Sequence, residues 1–179
     1  PSLIPFPAKR ETTECHRHAA VAVVITAGMD LLLMTRAAFE GDPWSGHISF
    51  PGGHMESSDT STTHAAIREA NEELGLTLTP ADCLGPLNPV QTPPAPDLIV
   101  HPFVFFLTEQ PKLTLDTREV QHTHWLTLEG LLSGAQRDSF MFTYNEHQVR
   151  LPCVHIGEER LWGLSLRIID DLLHRLDGR

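Results

Sequence analysis

Residues 50–76 read FPGGHMESSDTSTTHAAIREANEELGL, and the fold that we expect for the whole chain is inferred mainly from this segment. The Gly-Gly pair marks a turn, and the Ser, Asp and Thr residues after it are typical of a helix N-terminus. We expect Asp59 to cap that helix. Gly75 ends it, because glycine readily adopts the left-handed conformation that follows a last helical turn. The pattern therefore predicts a turn followed by a helix.

Three carboxylates share one side of the predicted helix, since Glu69, Glu72 and Glu73 are spaced by three and four residues. Like charges at this spacing repel, and Arg68 alone cannot neutralise three acids. A hard dication such as Mg²⁺ or Mn²⁺ can, because it prefers oxygen ligands, and a carbonyl of the glycine turn can join it. The alternative is an ordinary acidic face in solvent. A separate apolar stripe predicts the buried side and leaves all three charges exposed: Ala66, Ile67, Ala70 and Leu74.

The chain has 179 residues, of which 41% are hydrophobic and 20% charged, as in one soluble globular domain. No apolar run approaches the roughly 20 residues of a membrane span, and the start of the chain lacks a secretory signal pattern. The net charge of −10 argues against general affinity for nucleic acid. Three widely spaced cysteines without a CxxC pair favour reduced thiols. We therefore expect a cytoplasmic protein without nucleic-acid or membrane partners.

Alternating strand and helix patterns predict an α/β fold with a mixed sheet between two main helices. Residues 127–133 favour a short helix, and leucines and isoleucines at helical spacing favour a long one over residues 161–176. Residues 158–160 are expected to cap the last strand pair. The proline-rich residues 1–14 are expected to form an extended arm, which leaves 15–179 as one domain. The expected strands are residues 19–26, 31–36, 47–50, 83–90, 98–107, 121–126, 140–144 and 149–156.

Prolines lead to two further expectations. Residues 91–97, QTPPAPD, favour a loop at the rim of the functional site. Pro102 lies within the strongest strand pattern and has no N–H to give to a sheet, so we expect it at an edge or in a bulge.

Several candidate residues lie outside the acidic helix. Arg36 ends a predicted strand where it can reach an anionic ligand, and Trp44 is a loop aromatic that can stack on a base. Glu119 lies at a boundary between loop and strand, where a carboxylate can join the metal cluster or activate water. Each has an ordinary structural alternative, such as a solvated strand end, a core anchor or a turn residue. His122 and His124 alternate onto one strand face, but the sequence offers no matched third zinc ligand.

Residues 53–76 resemble the Nudix box, the signature of hydrolases that cleave a diphosphate linked to another moiety. The match consists of Gly53, then Asp59 after five intervening residues, and the block REANEELGL at residues 68–76 after eight more. Asp59 stands where the family usually has Glu, and the second gap is one residue longer than usual. The resemblance implies a Nudix-type α/β/α sandwich with a mixed β-sheet between helices.

The resemblance also implies roles for the residues of the box. Arg68 orients the glutamates rather than touching the substrate, and the catalytic base is Glu69 or Glu119. Arg36 and Trp44 are expected to bind substrate. The implied ligands of Mg²⁺ or Mn²⁺ are Gly53, Glu69, Glu72 and Glu73.

Scattered matches over about 150 residues look like the coenzyme A pyrophosphatase branch of the family. Two positions differ from that branch, because Met34 replaces its usual Thr and Asp42 replaces an Arg, which reverses a charge. The matching segments are RHAAV at 17–21, LLMTRA at 32–37, FPGG at 50–53 and WGLS at 162–165, together with Gly46, Glu119, Val120 and Trp125.

These observations lead to one expected activity and two alternatives. We expect metal-dependent hydrolysis of a diphosphate linkage in a nucleoside diphosphate derivative, with coenzyme A or a relative as first candidate. One alternative is a pyrophosphohydrolase of nucleoside triphosphates or dinucleotides. The other is a Nudix-fold module that binds a ligand without catalysis. A homodimer is the one protein partner that we consider.

Overall fold

The structure, a computed structural model, describes residues 16–38, 44–92, 95–144 and 147–177. The expected arm at residues 1–14 lies outside these ranges, as do Cys15 and Asp42. The helices are α1 (Thr62–Leu74), α2 (Leu128–Ser133) and α3 (Gly163–Leu176). The strands are β1 (Arg17–Thr26), β2 (Asp30–Arg36), β3 (Ile48–Ser49), β4 (Gly52–His54), β5 (Cys83–Pro86), β6 (Val90–Thr92), β7 (Ala95–Leu107), β8 (Val120–Thr127), β9 (Arg137–Tyr144), β10 (His147–Ile156) and β11 (Glu159–Trp162).

Eight of these strands form one mixed sheet. Its main path runs β3-β2-β1-β7-β5, while β4 pairs with β1, β6 with β7 and β8 with β2. The pair β1 and β7 is parallel, with Arg17 opposite Leu98 and Thr26 opposite Leu107. The other pairs of this sheet are antiparallel. The mixed sheet expected from the sequence is therefore confirmed.

The two faces of the sheet carry separate apolar cores, because successive side chains of a strand point to opposite faces. In β2, Leu32 and Met34 pack with α1, whereas Leu31 and Leu33 pack with α2 and α3. Helices thus cover both faces, and the α/β/α sandwich is confirmed. No helix in the described ranges is long and apolar enough to cross a membrane. Cys83 and Cys153, the cysteines within those ranges, carry free thiols.

The strands β9, β10 and β11 form a second, antiparallel sheet that the sequence only partly predicted. The hairpin of β9 and β10 was expected, but residues 158–160 do not merely cap it, because β11 pairs with β10 from Ile156 opposite Glu159 to Cys153 opposite Trp162. Leu161, expected in the last helix, is fully buried in β11. The helix α3 starts after it, at Gly163.

The expectation that Pro102 lies in an edge strand is wrong. β7 lies inside the sheet between β1 on one side and β5 and β6 on the other. Pro102 is tolerated there because its carbonyl faces the junction of β5 and β6, where it accepts a 2.9 Å bond from the Leu87 N–H. The missing N–H therefore faces a gap between two short strands. The expected loop at residues 91–97 is wrong for residues 91–92 and 95–97, which belong to the paired strands β6 and β7. Residues 93–94 lie outside the described ranges.

Candidate active site

The helix α1 begins and ends through its own local contacts. Ser61 is its N-cap, and the Ser61 side chain accepts a 3.1 Å bond from the His64 N–H. Gly75 follows the last turn with φ of 60° and donates its N–H to Asn71 at 2.8 Å. The expectation that Asp59 caps this helix is wrong. Its carboxylate instead accepts from the Glu56 N–H at 2.8 Å and lies buried under Arg68.

Arg68 joins the loop before the helix to the acidic side of the helix. Its Nε and Nη2 donate to the two oxygens of Asp59 at 3.1 and 3.0 Å. Its Nη1 donates to Glu69 at 3.0 Å and to Glu72 at 2.8 Å, and Nη2 also reaches the His54 carbonyl at 3.0 Å. Hydrogen bonds from Arg68 lower the pKa of Asp59, and Asp59 in turn raises the pKa of Arg68. Arg68 therefore positions two of the glutamates.

The glycine pair allows the turn of β4 to lie directly against both β1 and the helix. Gly52 has φ of 150°, and a Cβ there would lie 2.3 Å from the Ala20 carbonyl oxygen. A Cβ on Gly53 would lie 2.5 Å from an Oε1 of Glu69, so the Glu69 carboxylate rests over this glycine. The Gly52 N–H donates to Glu73 at 2.8 Å. Two of the three acids therefore touch the glycine turn.

The three glutamates share one side of α1 but differ in exposure. Glu73 is only 1% exposed, and the Glu69 and Glu72 side chains are 14% and 54% exposed. The expectation that all three charges face solvent is therefore wrong for Glu73. Its side chain turns under the helix toward the Gly52 N–H, which a prediction from helical spacing alone does not capture.

The acidic cluster is strained electrostatically when no cation is bound. Burial, together with the charges of Glu69 and Glu119, raises the pKa of Glu73 to about 8 against the opposing effects of the Gly52 N–H and Arg36. Burial also raises the pKa of Glu69, although Arg68 partly opposes this. Buried carboxylates next to one another favour protons or cations as partners. Carboxylate oxygens are also the ligands that Mg²⁺ and Mn²⁺ prefer, so the residues present fit such an ion.

Arg36 and Glu119 lie at the edge of this acidic cluster, since the charge of each acts on the Glu73 carboxyl. The Ala37 N–H donates to the Glu119 carbonyl at 2.8 Å, which fixes the turn before β8 against the end of β2. The Arg36 carbonyl accepts from the Gly46 N–H at 3.2 Å. Trp44 begins a turn that closes when its carbonyl accepts from the His47 N–H at 3.1 Å, and it is 42% exposed.

One constellation was missed in the sequence. His122 and His124 do meet a third partner, Glu159 of β11, which lies 3.0 and 3.3 Å from their Nε2 atoms. No local pattern points to Glu159, because it lies 35 positions after His124 in the chain. Only the packing of the small sheet beside β8 brings these side chains together.

Residues 16–144 match the NUDIX domain family. The mitochondrial coenzyme A diphosphatase NUDT8 of Homo sapiens is 30% identical over 166 residues, which cover 89% of this chain and 70% of that protein. The uncharacterized Nudix hydrolase NudL of Photorhabdus laumondii is 28% identical over 174 residues, or 97% of this chain and 91% of that protein.

Solved structures show the same fold at low identity. A MutT/nudix family protein from Enterococcus faecalis has a TM-score of 0.62 at 18% identity and covers 95% of this chain and 66% of its own. The MutT protein from Methanosarcina mazei Go1 has a TM-score of 0.61 at 18% identity, with coverages of 94% and 100%. Together with the family match and the acidic helix beside its glycine turn, these likenesses lead to one conclusion. The chain belongs to the Nudix family and is a Nudix hydrolase.

Proposed function

We propose that the protein hydrolyses a diphosphate linkage in a nucleoside diphosphate derivative, using Mg²⁺ or Mn²⁺, and that coenzyme A or a related species is its substrate. The observation that carries this proposal is the burial of Glu73 beside Glu69, under the glycine turn. Such a pair of acids is costly without a compensating charge. A dication that also binds phosphate oxygens supplies that charge.

The residues proposed to hold the ion are the three glutamates and a carbonyl of the glycine turn, which we assign to Gly53. When bound, Mg²⁺ or Mn²⁺ neutralises charge on the phosphates and favours ionisation of water. Arg68 keeps Glu69 and Glu72 in place through its bonds of 3.0 and 2.8 Å, and Asp59 holds Arg68 in turn. Arg68 is therefore a positioning residue in this proposal.

Arg36 and Trp44 are proposed to contact the substrate. Arg36 lies close enough to the cluster to act on Glu73, so its guanidinium can also reach a phosphate there. The half-exposed Trp44 lies in the turn next to Arg36, where an indole can stack on a nucleobase. Since the net charge is −10, such local cationic groups help a polyanionic substrate to approach.

In the proposed reaction, water attacks one phosphorus, the bridging P–O bond breaks, and two phosphate products leave. The proton of the attacking water goes to Glu69 or to Glu119. Burial raises the pKa of Glu69, which makes it a better proton acceptor than an ordinary glutamate. Glu119 is exposed at the turn before β8, where it can move toward the water. The profile of kcat/KM against pH for Glu69→Gln and Glu119→Gln distinguishes these two bases.

The choice of coenzyme A is supported by the relative NUDT8, which is named a coenzyme A diphosphatase. The identity between the two chains is 30%, so we propose the same class of substrate for this protein and give a test of it. The test is a panel of coenzyme A, nucleoside triphosphates, sugar nucleotides and dinucleotides, with the products identified by mass spectrometry. The proposal expects the highest kcat/KM for coenzyme A. A higher kcat/KM for another compound would contradict coenzyme A as the substrate. Ligand binding without any product would contradict the proposed hydrolysis.

The metal-dependent chemistry is tested separately with variants of the acidic cluster. Glu69→Gln and Glu73→Gln are expected to lower kcat/KM on the order of 10³-fold, because an active-site cation supplies several kcal/mol of transition-state stabilisation. Glu129→Gln, in an exposed position of α2, is the matched control and should retain activity. Full activity of either cluster variant would contradict the assignment.

The cytoplasmic location, the homodimer and the lack of nucleic-acid or membrane partners stay predictions from the sequence. Size-exclusion chromatography with light scattering measures the oligomeric state directly. Filter binding to mixed nucleic acids at low salt tests the expectation from the net charge of −10.

A further inference from the structure

A second cluster of potential metal ligands lies on the other face of the central sheet. The cluster consists of His122 and His124 of β8 and Glu159 of β11, whose ligand atoms all lie within 4.8 Å of one another. Thr35 pairs with His122 across β2 and β8. Because side chains alternate along β2, Thr35 lies on the face opposite Met34, and Met34 packs with α1. The cluster is therefore separated from the Nudix glutamates by the sheet.

The cluster is preorganised by a buried hydroxyl. Thr35 is 1% exposed, and its Oγ1 donates to one oxygen of Glu159 at 3.0 Å. The same Oγ1 lies 2.8 Å from Nε2 of His124 and 3.3 Å from Nε2 of His122. Both imidazoles thus turn their Nε2 atoms toward the carboxylate. This convergence is the arrangement that a metal ion requires of its ligands.

The distances suit a tetrahedral ion. The Glu159 Oε2 lies 3.0 Å from His122 Nε2 and 3.3 Å from His124 Nε2. Zinc bonds of roughly 2.0–2.1 Å in tetrahedral geometry separate neighbouring ligand atoms by about 3.3 Å. The ligands are also accessible, since the His122 and Glu159 side chains are 44% and 31% exposed. An ion can therefore enter without opening the fold.

We propose that His122, His124 and Glu159 bind a zinc-class transition-metal dication, separate from the ion of the Nudix glutamates. Two imidazoles and one carboxylate are a known zinc ligand set, and imidazole favours zinc over Mg²⁺. Three protein ligands leave the fourth position for water. Because β8 belongs to the central sheet and β11 to the small sheet, the ion ties the two sheets together.

The test is zinc binding to the full chain after chelator treatment, measured by competition with a chromogenic chelator in excess Mg²⁺. The wild type is expected to bind one tight equivalent of zinc and to melt at a higher temperature with it. Removing a residue that only hydrogen-bonds to a metal ligand lowers metal affinity roughly 10–100-fold. Because His122→Gln and Glu159→Gln each remove a ligand itself, they should lower the zinc affinity by more than this. Equal affinity in these variants and the wild type would overturn the proposal.

Two controls separate this site from other ligands of the chain. Glu69→Gln alters the Nudix cluster and should retain the zinc equivalent, so this result is independent of the proposed hydrolysis. His155→Gln alters an exposed histidine that contacts Asp138 and should also retain it. If the cluster variants fail to fold, the site is tested in the wild type by NMR of the imidazole nitrogens of its histidines, with and without zinc. Zinc should then shift the Nε2 signals of two histidines together, and unchanged signals would refute the site.

Discussion

Replacing Glu73 with glutamine should stabilise the protein in the absence of metal, although it destroys the proposed metal site. The wild-type carboxyl is 1% exposed and has a pKa of about 8, mainly because burial disfavours its charged form. Glutamine has nearly the same shape, and its oxygen can still accept from the Gly52 N–H. The substitution therefore removes the buried charge and keeps the hydrogen bond.

The expected size of this stabilisation follows from the linkage between proton binding and folding. The carboxyl of Glu73 has a pKa of about 8 in the folded chain against an ordinary value of 4.5. Because the folded state then binds more protons than the unfolded state between these values, stability falls as the pH rises through this range. Each pKa unit corresponds to about 1.4 kcal/mol. The free-energy penalty is thus on the order of 1–2 kcal/mol at pH 5.5 and at most roughly 4–5 kcal/mol at pH 8.5.

The assay is urea unfolding of the wild type and of Glu73→Gln in EDTA, at pH 5.5 and pH 8.5. The free energy of unfolding of the variant minus that of the wild type should increase by at most roughly 3 kcal/mol from pH 5.5 to pH 8.5. Both proteins carry the same histidines, so the difference between them isolates this carboxyl. Adding Mn²⁺ at the higher pH should then stabilise the wild type more than the variant. Parallel pH curves in EDTA would refute the account of a buried, high-pKa carboxyl.

Three further substitutions and one control substitution test the surroundings of the cluster. Asp59→Asn removes the buried partner of Arg68 and should cost roughly 2–4 kcal/mol in urea unfolding. Asp116→Asn, in the pair with the exposed Arg118, should cost clearly less, and equal costs would contradict the burial argument. Gly53→Ala should lower kcat/KM with little loss of stability, because its Cβ would lie 2.5 Å from a movable carboxylate oxygen. Gly52→Ala should instead lower the melting temperature, because its Cβ would lie 2.3 Å from a backbone oxygen of β1. The opposite pattern in the two glycine variants would count against the proposed turn.

Local chemistry explains which features could be predicted from the sequence. The helix end at Gly75, the strand β2 and the short helix after Thr127 each follow from residues within a few positions of one another. The acidic side of α1 also follows from spacing along one helix. These features need no knowledge of distant parts of the chain.

The features that sequence analysis missed depend on contacts between distant segments. Asp59 does not cap the helix because its buried carboxylate instead accepts a hydrogen bond from Arg68, nine residues later. Glu73 is held in the interior by the Gly52 N–H, 21 residues earlier in the chain, which donates a hydrogen bond to its carboxylate. Pro102 is tolerated inside the sheet because two short strands leave a gap beside it. Helical and strand periodicities carry no information on such partners.

The most direct test of the central claim is a crystal of the protein soaked in Mn²⁺ and measured at the manganese absorption edge. The account predicts anomalous density next to Glu69, Glu72 and Glu73, with bonds of roughly 2.0–2.2 Å to their oxygens and to a carbonyl of the glycine turn. A fully soaked crystal that diffracts well but shows no density there, with Glu73 still bonded only to the Gly52 N–H, would contradict it.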